Sequence, residues 1–90
     1  MPEFVIERNM PNVGALRPDE LKGASQNSCG VLRALGPDIQ WVHSYVTDNK
    51  IYCVYRAADP EIIRRHAKQA GFPADSVSPV RAQISPMTAE

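Results

Sequence analysis

Polar and apolar residues alternate from Glu3 to Arg8, with Phe4 and Ile6 to one side and Val5 and Glu7 to the other. A period of two predicts a strand. Asn9 to Gly14 brings turn formers, a Pro and a Gly together and reads as a loop. The period then lengthens. Leu21, Ala24, Ser28, Leu32 and Leu35 recur at helical spacing after Pro18-Asp19-Glu20, a favourable helix start. Gly36-Pro37 stops that helix. Gly23 and Gly30 weaken it and suggest close packing against a sheet. Ile39 to Thr47 and Lys50 to Ala57 are rich in Val, Ile, Tyr and Trp around Asp48-Asn49, two residue types that tolerate positive φ. They predict a β-hairpin with a tight turn. Asp59-Pro60-Glu61 opens a second helix with Ile62, Ile63, His66, Ala67 and Ala70 as its inner stripe, and Gly71 ends it. Phe72 to Asp75 is a turn. Ser76 to Ile84 reads as a last strand, at an edge because of Pro79, and Ser85 to Glu90 as a loose tail.

The order β-α-β-β-α-β predicts an α+β chain of the ferredoxin-like kind, a four-stranded antiparallel sheet with two helices on one face. Residues 1–90 form one domain, with an ordered core over about 3–85.

The hairpin register decides what lies on each face. An even turn at Asp48-Asn49 pairs Val46 with Ile51, Ser44 with Cys53 and Val42 with Tyr55, and this set joins Phe4 and Ile6 under the helices. Trp41, His43, Tyr45, Tyr52 and Val54 then share the open face with Glu7 and Arg81. A three-residue turn would instead bring Cys53 and Tyr55 beside His43 and Tyr45. The first register is preferred. The face it leaves open is too aromatic to stand bare, which points to a second subunit or a ligand.

Composition narrows the function. Lysine plus arginine equals aspartate plus glutamate at 10 each, so there is no electrostatic footprint for nucleic acid or an anionic membrane. No apolar run approaches the roughly 20 residues of a membrane span, and the first residues do not resemble a signal peptide. A soluble, cytoplasmic protein is expected. Cys29 and Cys53 fall in different elements and form no CxxC pair, so two thiols are expected rather than a disulfide.

Two small sets of side chains carry candidate chemistry. On the open face, the imidazole of His43 and the carboxylate of Glu7 suit a first-row divalent metal. The plainer reading pairs Glu7 with Arg8 or Arg81 and leaves His43 as an interface hydrogen-bonder. Under the helices, His66 and Cys53 could bind metal or act as base and nucleophile, against the plainer reading of a satisfied histidine beside an inert thiol. Trp41, Tyr45 and Tyr52 could stack on a ligand or form a dimer core. No HxxxH, CxxC or HExxH spacing is present, and the residues support a binding domain better than an enzyme.

The run WVHSYVTDNKIYCVY, followed by an acidic-Pro helix start, IIRRHAKQAGFPADSV and VRAQI, resembles a family of small bacterial ferredoxin-like proteins. That family is catalogued as a domain of unknown function and includes a nickel-binding homodimer from actinobacteria. FVIERNMP and SCGVLRALG fit it as well, so the resemblance spans about Phe4 to Ile84. It implies the βαββαβ fold, a homodimer, and nickel as the metal, in homeostasis or sensing. His43 is the first ligand candidate, Glu7 the second, and His66 and Cys53 the weaker two. Two other functions fit the same fold. One is a dimeric isomerase-like or monooxygenase-like enzyme using His43 or Tyr45 as acid/base group in a sheet–helix cavity. The other is a plain dimerising module with no pocket.

Overall fold

A computed structural model describes residues 1–90. Four strands form one sheet: β1 (Glu3–Asn9), β2 (Ile39–Val46), β3 (Lys50–Ala57) and β4 (Ser76–Pro79). The helices are α1 (Pro18–Leu35) and α2 (Pro60–Ala70). The strand order is β2-β3-β1-β4 and every neighbouring pair is antiparallel. The expected ferredoxin-like arrangement is therefore the observed one.

Local chemistry explains the element ends. Asp59 accepts a hydrogen bond from the Ile62 N–H at 3.1 Å, and Pro60 occupies the first turn of α2. Gly71 closes that helix in the left-handed region at φ 79°. Glu20 accepts from the Arg17 N–H at 3.1 Å at the start of α1. The loop after β1 contains a short helical turn at Val13–Ala15 and lies against the hairpin tip. There the Gly14 N–H donates to Asp48 O at 3.0 Å and the Met10 N–H to Asn49 O at 3.0 Å.

The hairpin pairs Val46 with Ile51 and Ser44 with Cys53, as the even register requires. Neither Asp48 nor Asn49 has positive φ. The Thr47 hydroxyl instead closes the turn, donating to Lys50 O at 2.8 Å and accepting from the Lys50 N–H at 3.2 Å.

Toward the start of β2 the expected pairing fails. A bulge between Trp41 and His43 leaves Trp41 opposite Tyr55 and His43 opposite Val54. Val42, expected in the core, is exposed. Trp41, expected on the open face, packs against the core and donates from Nε1 to Ser44 Oγ at 2.9 Å. An indole needs a partner for its N–H when it is covered, and the serine three residues on supplies it.

Three further expectations change. The last strand ends at Pro79 rather than Ile84. Proline cannot donate to a ladder, and the Val80 N–H makes one more bond, to Glu3 O, before the chain leaves the sheet. Arg81 consequently does not lie on the sheet. The tail is exposed throughout, but Pro86–Ala89 forms a short helical turn. Gly23 and Gly30 have open space where a Cβ would sit, so neither marks a close helix–sheet contact.

Phe4, Ile6, Ile39, Cys53, Tyr55, Ala57 and Ile63 form the core. The two helices seat differently on it. Helix α2 buries Ile63, His66 and Ala67, whereas α1 buries only Ser28.

Candidate functional site

Strand alternation carries Arg8 to the same side as Phe4 and Ile6. Its side chain reaches the covered face, where only 2% of the residue is exposed. Nε donates to Cys53 Sγ at 3.4 Å and Nη1 to the Pro73 carbonyl at 2.6 Å. The Phe72 ring lies 5.8 Å from the guanidinium carbon. Nη2 has no partner, and no carboxylate lies within ion-pair distance of Arg8.

His66 enters the same region from α2 and is fully buried. Its Nε2 lies 3.0 Å from Ser28 Oγ on α1, and its ring centroid 5.5 Å from that of Tyr55. Nδ1 is unpartnered. Burial first, and the Arg8 charge second, hold the imidazole below the ordinary histidine pKa, so it is neutral. Burial also raises the Tyr55 phenol above its ordinary value against the opposing pull of Arg8.

A cavity of about 190 Å³ opens beside this cluster, beneath the first turns of α1. Its polar lining residues are Arg8, Ser25, Ser28 and Ser44, joined by the Cys53 thiol and the Tyr55 phenol. Most of the remaining lining is apolar and includes Val13, Leu21, Trp41, Ile51 and Phe72. The cavity follows from the sequence of α1. Ala24, Ser25 and Ser28 occupy its sheet-facing positions and are too small to fill the gap.

The other face of the sheet holds the second set. His43 on β2 is exposed, and its ring meets that of Tyr45 edge-on at 5.1 Å between centroids. Tyr45 pairs with Tyr52 across the hairpin, and Tyr52 pairs with Glu7 on β1. Glu7 is engaged by Lys50, whose Nζ lies 2.6 Å from Oε1. This hydrogen-bonded carboxylate raises the lysine pKa above its ordinary value. The expected partners of Glu7, Arg8 and Arg81, do not take that role.

The four metal-ligand candidates are thus divided between two faces. His43 and Glu7 share the open one, with β3 between their strands, while His66 and Cys53 lie on the covered one. No three His, Cys, Asp or Glu residues gather anywhere in the chain. The Cys53 thiol contacts Arg8, and both cysteines are free. Of the three proposed stacking residues, Tyr45 and Tyr52 stay together on the open face and Trp41 does not. The acid/base reading of His43 fails on geometry, because the cavity lies on the opposite side of the sheet.

The sequence signal for Arg8 is its position on β1, two residues after Ile6 and four after Phe4, which puts it on their face of the strand.

Two helices lie over one face of an antiparallel four-stranded sheet, with an open-mouthed cavity beneath α1, and aromatic groups with an imidazole stand on the other. These features define a small ferredoxin-like α+β protein. The chain belongs to the family described as nickel responsive protein SCO4226-like, whose sequence model matches residues 4–80. The crystal structure of SCO4226 from Streptomyces coelicolor A3(2) superposes with a TM-score of 0.76 at 20% sequence identity, over 91% of this chain and 99% of that one. That likeness concerns the fold. No curated protein sequence matches the chain. No helix is long and apolar enough to cross a membrane.

Proposed function

We propose that this protein is a homodimeric nickel-binding protein of metal homeostasis or sensing, with His43 as its principal ligand. The observation that carries the reading is an exposed imidazole on an aromatic sheet face, in a chain of a nickel-responsive family. A neutral imidazole nitrogen suits nickel. One chain offers too few donors on that face, because His43 stands alone on β2 and Glu7 is held by Lys50. A second copy, related by a two-fold axis over the open face, would double the imidazoles. Glu7 would join them only by releasing Lys50.

The metal is cargo or signal in this reading, and no side chain is assigned a catalytic role. The cavity under α1 counts against the bare interaction module, which would have no pocket. Calorimetry with nickel, together with elemental analysis of gently purified protein, tests the proposal. Wild type is expected to bind nickel near stoichiometrically, and His43→Ala to lose most of that binding. Unchanged affinity in His43→Ala would remove His43 from the site. Absence of nickel binding in wild type would end the reading.

A further inference from the structure

A buried cation without a counter-charge is costly, and it persists only where something compensates it. The Arg8 guanidinium is in that position. Its donors reach a sulfur, a backbone carbonyl and nothing at all, and none of these carries a negative charge by its nature except the sulfur as thiolate. The nearby Tyr55 and His66 are held in their neutral forms. Beside this cation lies a cavity with Tyr55 and Ser28 in its wall and an otherwise mainly apolar lining.

From this geometry we propose that the cavity binds a small apolar monocarboxylate, with its carboxylate on the Arg8 guanidinium. Nε and Nη1 are already engaged, so the carboxylate would take the bond that Nη2 leaves unmade, a charge-assisted one. Tyr55 and Ser28 line the same wall, and Ser28 is free to donate to the anion when His66 donates to it from Nε2. Size sets the rest of the ligand. A dry apolar cavity of about 150 Å³ holds benzene, so about 190 Å³ accommodates one ring or a short branched chain with its carboxylate. The site is independent of the open face and of nickel.

Benzoate and benzyl alcohol, a charged and a neutral probe of similar size, test the proposal by amide chemical-shift titration of the full-length protein. Benzoate is expected to move the resonances of Ser28, Cys53 and Tyr55 and to bind roughly tenfold tighter than the alcohol, as a charge-assisted hydrogen bond allows. Arg8→Met should erase that preference. Because this variant risks misfolding, Ala24→Phe provides a second arm. It fills the cavity while leaving Arg8 in place, and should abolish benzoate binding with the spectrum of a folded protein. Equal affinity for the two probes, shifts confined to the open face, or undiminished binding in folded Ala24→Phe would each overturn the proposal. It also falls if benzoate does not bind to the wild-type protein.

Discussion

His66 is neutral in the folded protein because burial and the Arg8 charge both oppose its protonation. In the unfolded chain it regains an ordinary pKa of about 6.5. Above that value both states are deprotonated and stability is complete. Below it the unfolded state takes up the proton first, so stability falls with pH. The urea midpoint should therefore drop between about pH 7.5 and 5.5. His66→Gln, which keeps a polar group facing Ser28, should show a smaller drop than wild type. An equal drop in the two proteins would mean that another group titrates. The histidine itself was legible from sequence, since its place on the inner stripe of the second helix follows from its spacing to Ile62, Ile63, Ala67 and Ala70. Its partner was not. The serine lies on another helix, and a pairing across elements leaves no mark in either local pattern.

Between elements, the first loop lies close against the hairpin tip. A Cβ on Gly14 would come within 2.8 Å of both Asp48 Cα and Thr47 O. Both are backbone atoms and cannot swing aside. Gly14→Ala should thus cost about 1–3 kcal/mol, the usual range for overpacking, measured by urea unfolding. A change of a few tenths would show that the loop moves away freely. The hairpin and its register at Ser44 and Cys53 could be read from alternation and the even turn. The bulge at Trp41–Val42 could not, because no glycine or other residue of special backbone preference stands there. The shortened last strand was half legible: Pro79 predicted an edge position, and the structure also ends the strand there.

Across the whole molecule the thin interior stands out, with 12 of 90 residues buried. Small domains bury a modest share of their surface, and pairing is one remedy. On the open face Tyr45 remains 62% exposed and Val5 36%. If the open faces pair as proposed, light scattering should give twice the chain mass of 10.0 kDa. Tyr45→Arg should return the protein to a monomer, because a charge buried at the interface core is unfavourable. A monomeric wild type would refute the pairing. The fold and the identity of the two faces were largely readable from the chain. The cavity was not, since it depends on how far a helix stands from a sheet.

The bulge at Val42 also works as a frameshift within one strand. Before it, odd-numbered residues, Ile39 and Trp41, face the helices; after it, an even-numbered one, Ser44, does, and His43 and Tyr45 look outward. Gaining or losing a single residue at this point would rephase the start of the strand while leaving the hairpin tip alone. Chain-length change here, more than substitution, can therefore move an indole between the cavity wall and the outer surface.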